Sequence, residues 1–182
     1  MKNKFSVYTM TTCALMAALM CVLGPLSVPI GPIPVTLTNL VIYLSVWLLG
    51  MKGATVSTLV YLLLGAVGMP VFSGFQGGFA KLAGPTGGYL VGFLFIPLIG
   101  GFILDRSRGN ILASIAGMIA GTAVLYLLGT VWFVFQTQSQ IWYALTVCVF
   151  PFIPFDLGKI VLASFFGNAL RKALRKADLL PQ

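Results

Sequence analysis

The sequence predicts an all-α integral membrane protein, a single domain of residues 1–182 folded as a bundle of six transmembrane helices. Composition is the first reason: 59% of the 182 residues are hydrophobic, 8% are charged, and the mean hydropathy is +1.03. A soluble domain carries about a quarter charged residues, because its whole surface faces water. The other two reasons are the recurrence of apolar runs and the uneven distribution of basic residues between the segments that join them.

Six apolar runs make up most of the chain, and each predicts one crossing, since a spanning helix needs about 20 residues. They cover approximately 7–26, 36–50, 54–69, 88–104, 111–135 and 143–170. The first run is followed by five others and lacks a clear cleavage site, so we interpret it as a span rather than a signal peptide. The second and third runs are short, and we expect one of them to be tilted, extended into a loop, or buried among other helices.

The basic residues predict the orientation. An even number of spans places both termini on one side, and an excess of Lys and Arg marks the cytoplasmic side. With the termini in the cytoplasm, the outer loops carry only Lys81, and the inner segments carry nine cations: Lys2, Lys4, Lys52, Arg106, Arg108, Arg171, Lys172, Arg175 and Lys176. We therefore interpret the formal net charge of +8 as the result of basic residues that set the orientation in the membrane. We expect the lipid bilayer as a partner and no nucleic acid, which would need a clustered, exposed basic face.

Two outer loops are the expected place for a ligand. The loop from about 27 to 35 is rich in Pro, and the segment Gly68–Tyr89 holds seven glycines and two prolines. Irregular backbone persists in the hydrocarbon region only where it is buried in protein or lines a polar cavity. The glycine-rich segment is therefore predicted either to lie at the outer surface as an ordinary loop or to fold back into a site.

Asp156 and Lys159 stand three residues apart in the last apolar run, a spacing that places both on one helix face. A charge at the centre of a span costs about 2.5–3.5 kcal/mol, so the pair indicates mutual pairing, a polar cavity or a function. A structural salt bridge and a proton relay remain alternatives, although a relay would use more carboxylates. Asp accepts hydrogen bonds and Lys donates them, which suits a ligand with both N–H and C=O groups, such as a urea, amide or lactam.

Other chemistry has few candidates in the sequence. There is no His, no phosphate-binding loop motif and no HExxH motif, so we expect no enzyme activity and no ATP hydrolysis by this chain. The three cysteines lie in apolar runs without CxxC spacing, so we predict no metal site and no cofactor. Ala14 and Ala18 in the first run have the spacing that permits close helix approach, which by itself is a weak signal.

Four motifs spread over the chain resemble the BioY biotin transporters, the substrate-binding S components of energy-coupling factor (ECF) importers. They are GPIPVTLTN at 31–39, GMPVFSG at 68–74, GPTGGYL at 84–90 and PFDLGK at 154–159. The GPTGGY and PxDxxK runs, in this order and spacing, are fairly specific.

The resemblance implies a biotin site near the outer face, closed by the loop between the first two helices. By this likeness Asp156 and Lys159 contact the ureido ring of biotin. Asn39 stands where family members often have Gln, and Gln76 where an Arg can occur. Lys81, or the backbone around Gly84 to Gly88, is a candidate for binding the carboxylate. The remaining predicted contacts lie in the GPTGGY run: Thr86, Gly87 and Tyr89.

The resemblance also implies the partners. Ala14 and Ala18 become the surface that docks onto the transmembrane coupling subunit (T component), and two ATP-binding cassette ATPases supply the energy. The expected function is then high-affinity capture of biotin in a prokaryotic cytoplasmic membrane, with no covalent chemistry by this chain. Two alternatives stay open: an S component or standalone carrier for another small vitamin, and a structural membrane protein in which Asp156 and Lys159 only fix packing.

Overall fold

The structure is a computed structural model that describes residues 7–29 and 33–177 and is mostly helical. The elements in chain order are α1 (Val7–Leu23), β1 (Ser27–Pro29), β2 (Pro34–Thr36), α2 (Thr38–Ala66), α3 (Phe79–Ala83), α4 (Gly87–Arg106), α5 (Ile111–Thr137), α6 (Ile141–Cys148) and α7 (Phe152–Lys176). Helix α4 contains a π-helical turn at Ile96–Gly100, which includes Pro97.

Among the described residues, four helices are long and apolar enough to cross a membrane: α2, α4, α5 and α7. Helix α1 is apolar but has 17 residues. The described part has seven helices where the sequence predicts six spans. The predicted second and third runs join in α2, the glycine-rich segment contains the short α3, and the last run is split at 149–151, where Pro151 interrupts the helix.

Helix α2 reverses direction at Gly50. That residue has φ +66°, a conformation that favours glycine, and a Cβ there would lie 2.6 Å from Asp105 Oδ1. The Met51 N–H after the break donates to Asp105 Oδ2 at 3.0 Å. In a straight helix Thr38 and Tyr61 would be about 35 Å apart, yet both line one cavity. The predicted runs 36–50 and 54–69 are thus the two arms of α2.

One end of the bundle, which we call the hairpin end, gathers the two segments predicted to form the ligand side. Strands β1 and β2 pair antiparallel there, with Val28 opposite Val35. The glycine-rich segment folds back onto the same end, because the Gly74 N–H donates to the Pro25 carbonyl at 3.1 Å. Phe72 is fully buried and packs edge-to-face on Tyr61, with ring centroids 5.6 Å apart.

The core lies between the arms of α2 and the helices around them. Its largest fully buried side chains include Trp47 and Tyr43 on α2, Met20 on α1 and Met118 on α5. The outward faces of α1, α5 and α7 carry many exposed large apolar side chains. Such a surface suits lipid rather than water as its solvent, which agrees with the predicted class of membrane protein.

Candidate binding site

The Asp156 carboxylate is the centre of a polar cluster at the hairpin end. It is buried, with 2% of its surface exposed. The Asn39 side-chain amide donates to both oxygens at 3.2 Å, and the Tyr126 hydroxyl donates to Oδ2 at 2.7 Å. Lys159 Nζ donates to Oδ1 at 3.0 Å. An ionised carboxylate has about four acceptor positions, so these four contacts satisfy it.

Lys159 connects α7 to the hairpin. Its ammonium forms the ion pair with Asp156 one turn away, which confirms that the two residues share a helix face. The same ammonium donates to the Thr36 carbonyl on β2 at 2.9 Å. Lys159 has three N–H donors, and these two contacts use two of them. A third donor therefore remains for a group in the adjoining cavity.

The local sequence explains why a charge can be buried here. Asp156 lies in the second turn of α7, and Asn39 is the second residue of α2. Helix N-termini carry partial positive charge, which stabilises nearby anions by about 0.3–1 kcal/mol when exposed and more when buried. The carboxylate is hydrogen-bonded to Asn39 in the first turn of α2, and its position beside that helix N-terminus partly offsets the cost of removing it from water.

Two cavities meet beneath the hairpin. The first has a volume of about 50 Å³ and is lined by the polar side chains of Asn39, Tyr126, Asp156 and Lys159 and also by Phe93, Leu125, Cys148 and Phe152. The second, also of about 50 Å³, is lined by Thr38, Tyr61, Ser73, Thr86 and Leu90. Five residues line both: Ile33, Pro34, Thr36, Tyr89 and Phe93. A mostly apolar space with few directed polar groups is typical of a small-molecule site.

The structure brings some of the predicted contacts into these cavities. Asn39 and Tyr89 line the first, and Tyr89 and Thr86 line the second. The Tyr89 hydroxyl is hydrogen-bonded to Thr130 Oγ1 at 3.0 Å. Gly87 is buried at the start of α4, where a Cβ would overlap the Leu82 carbonyl, so close packing explains this glycine.

Two predicted contacts lie elsewhere in the structure. Gln76 is exposed, and its carbonyl accepts from the Phe72 N–H at 2.9 Å. Lys81, on α3, is half-buried, and burial lowers the pKa of its ammonium. Neither side chain lines the two cavities. The amide of Gly87 already donates to the Gly84 carbonyl, at 2.9 Å.

Sequence reasoning missed Tyr126 and the hairpin backbone. Tyr126 lies on α5, 30 residues before Asp156, and Thr36 takes part through a carbonyl that every residue possesses. The available signal for Tyr126 was the one tyrosine in a long apolar helix, since a buried Tyr O–H usually finds a partner. That signal shows that a partner exists without identifying it.

Ala14 and Ala18 lie on the outward face of α1, whereas Ala17 between them is buried. Beside Ala14 is an apolar groove of about 380 Å³ between α1 and the second arm of α2, lined also by Met10, Cys13, Val56 and Val60. The small residues therefore form part of the molecular surface and are not used to pack α1 inside the bundle.

Metal ligation has no candidate in the part of the chain that the structure describes, where no group of three or more His, Cys, Asp or Glu side chains comes together. The polar cluster around Asp156 instead combines one carboxylate with neutral and cationic donors. Such a set binds polar organic groups through hydrogen bonds.

Comparison with known proteins supports one family. The family described as BioY matches residues 1–176. The chain is 38% identical over 168 residues to Biotin transporter BioY2 of Lactococcus lactis subsp. cremoris (strain MG1363), covering 92% of each chain. It is 38% identical to Biotin transporter BioY of Thermotoga maritima, covering 85% of this chain and 90% of that one.

A solved structure gives the same result. The crystal structure of the S-component for biotin from an ECF-type ABC transporter superimposes with a TM-score of 0.86 at 34% identity. The match covers 94% of this chain and 95% of that chain. The similarity therefore extends over nearly the whole chain.

Proposed function

Because this chain belongs to the BioY family, whose named members are transporters and not enzymes, we propose that it is a biotin-binding S component of an ECF-type importer. It captures biotin with high affinity in the cavities beneath the hairpin. The observation that carries this proposal is the set of hydrogen bonds around Asp156 and Lys159, next to a largely apolar space. Biotin combines a urea, an apolar bicycle and a carboxylate, and so needs such a site.

The urea is proposed to bind in the first cavity. One of its N–H groups donates to Asp156, and its carbonyl accepts the remaining N–H of Lys159. Asp156 is already satisfied, so a ligand N–H must replace an existing donor. The Asn39 amide donates to both oxygens of Asp156 at 3.2 Å. These are the longest of the four contacts to the carboxylate, so Asn39 is the donor most readily displaced.

The rest of the ligand follows from the shape of the site. The apolar bicycle packs on Phe93 and Phe152, and the tail passes Tyr89 into the second cavity. There the hydroxyls of Thr86 and Ser73 are proposed to bind the carboxylate. Lys81 and Gln76 would join them only after a shift of the glycine-rich segment toward the cavity.

The topology is proposed to have six crossings: α1, the two arms of α2, α4, α5 and α7. The hairpin end faces outward, and both termini face the cytoplasm of a prokaryotic cell. The turn at Gly50, the end of α4 and the end of α7 lie at the opposite end and carry Lys52, Arg106, Arg108, Lys172 and Lys176. The positive-inside rule favours that end as cytoplasmic.

The proposed partners are a T component and two ATP-binding cassette ATPases in the membrane complex. The exposed Ala14 and Ala18 form the docking surface, since small residues allow another helix to approach closely. In this role the chain binds biotin as a ligand, uses no cofactor, performs no covalent chemistry and leaves ATP hydrolysis to the ATPases.

Thermal unfolding of the detergent-purified protein tests the function directly. A ligand that binds only the native state at 100 times its Kd stabilises it by about 2.7 kcal/mol. We expect biotin to raise the Tm, and thiamine and riboflavin to leave it unchanged. A shift with another vitamin alone would identify a different S component. No shift, in folded protein freed of bound biotin, would favour a structural role for the Asp156–Lys159 pair.

A further inference from the structure

Tyr126 occupies a boundary between two spaces. It lines the first cavity, and with Asp156 it also lines a groove of about 280 Å³ between α5 and α7. We call this second space the lipid-facing groove. Its other walls include Ile119, Ala123 and Leu157, all exposed on the outward surface. Tyr126 and Asp156 are therefore the partition between the ligand cavity and the surroundings of the bundle.

The contact between them has the geometry of a strong hydrogen bond. At 2.7 Å it is the shortest of the four contacts to Asp156, at the upper end of the range of about 2.5–2.7 Å for a hydroxyl donating to a carboxylate. The carboxylate can only accept, so the Tyr126 hydroxyl must donate. Its oxygen keeps lone pairs and borders the cavity, where it can accept a hydrogen bond from a ligand N–H.

The hydroxyl also determines how the carboxylate is oriented. Lys159 contacts Oδ1 and Tyr126 contacts Oδ2, so the two donors hold opposite oxygens from different helices. The Asn39 amide bridges both oxygens at equal distance and does not distinguish them. Without the hydroxyl, the carboxylate would keep its ion pair with Lys159 but lose the contact that fixes its second oxygen.

We propose that Tyr126 is a positioning and specificity-determining residue of the binding site. Its hydroxyl orients Asp156, and the two side chains together offer acceptors to one N–H of the ligand, so that the site selects molecules in which an N–H adjoins a C=O group, such as a cyclic urea. Its ring separates the ligand cavity from the lipid-facing groove. This inference rests on the proposed function, because it explains how the same site recognises the urea of biotin.

The test combines a hydroxyl deletion with ligands that lack one N–H. Isothermal titration is performed on the wild type and on Tyr126→Phe, with biotin and with each analogue methylated on one ureido nitrogen. We expect Tyr126→Phe to weaken biotin binding about 10- to 100-fold, the usual loss for a hydrogen bond to a charged group. For the analogue whose missing N–H faces Tyr126 and Asp156, the loss should be less than about threefold.

Tyr43→Phe is the matched control. It removes another buried Tyr hydroxyl, whose hydrogen bond to Thr122 Oγ1 is 2.7 Å long; Tyr43 lies near Asn39 and Asp156 but does not line the first cavity, so the variant tests whether loss of a neighbouring hydroxyl without a ligand contact is enough to weaken binding. Its effect on the Kd of biotin should stay within about twofold, as expected for a site without a ligand contact. Tyr126→Ala also removes the ring, and we expect it to weaken biotin and both analogues further.

The outcomes separate the two proposals. Failure of the folded wild type to bind biotin overturns the proposed function. If the wild type binds biotin but Tyr126→Phe leaves its Kd unchanged, or weakens biotin and both analogues equally, Tyr126 has no role in recognising N–H groups and this inference alone is wrong. If Tyr126→Ala binds no worse than Tyr126→Phe, the ring does not act as a partition.

Discussion

Replacing Asp156 by Asn tests whether its carboxylate is the centre of the binding site. The carboxylate accepts four hydrogen bonds and carries the charge that balances Lys159. Asn keeps one acceptor oxygen and places an amide N–H₂ against groups that themselves donate. It also leaves the ammonium, whose side chain is 11% exposed, without its counter-ion.

The magnitude follows from these losses. Removing one partner of a buried ion pair destabilises a protein by about 3–5 kcal/mol. A buried, hydrogen-bonded charge lost from a binding site weakens affinity by about 2–5 kcal/mol, which is about 30- to 5000-fold in Kd. We therefore expect Asp156→Asn to have a lower Tm and to bind biotin at least 30-fold more weakly than the wild type does.

The assay is isothermal titration with biotin, on protein whose fold is checked by size-exclusion chromatography and circular dichroism. Asp105→Asn is the control, because it neutralises another carboxylate that accepts a backbone N–H. Asp105 is exposed and lies at the end opposite the hairpin. The Asp105→Asn variant should leave the Kd of biotin unchanged. Wild-type affinity in folded Asp156→Asn protein would refute the assignment of this carboxylate to the ligand.

Three further predictions concern the hairpin, the turn in α2 and the docking surface. Lys159→Met keeps the length of the side chain but removes the donor to the Thr36 carbonyl, so we expect faster hydrogen exchange in β1 and β2 and about 10- to 100-fold weaker biotin binding; unchanged exchange would show that Lys159 does not hold the hairpin. Gly50→Ala imposes a positive φ on a residue with a Cβ, and we expect unfolding measurements to show a loss of about 1–3 kcal/mol with biotin affinity retained. Weaker biotin binding by Gly50→Ala would mean that the conformation of the turn affects the binding site. Ala14→Leu should leave biotin binding by the isolated protein intact but reduce its co-purification with the T component and ATPases; undiminished assembly and uptake would exclude Ala14 from the interface.

Much of the site could be predicted from local sequence because part of its geometry is local. Asp156 and Lys159 are three residues apart on one helix, so their pairing follows from helical periodicity alone. The break before α7 also has a local cause, since Pro151 cannot continue a helix, yet the apolar pattern runs through it and predicts one span. Hydropathy records which residues avoid water, and it does not record where a backbone turns.

The sequence by itself determined the class of protein, the apolar segments, the likeness to BioY and the charged pair in the last helix, because these depend on composition and short spacings. Tertiary structure decided which groups surround that pair. Asn39 is 117 residues from Asp156, and Thr36 is 123 residues from Lys159. Tyr126 comes from a third helix. A buried charge requires partners, but any element that reaches it can supply them, and only the packing of the hairpin, α2 and α5 against α7 selects these three.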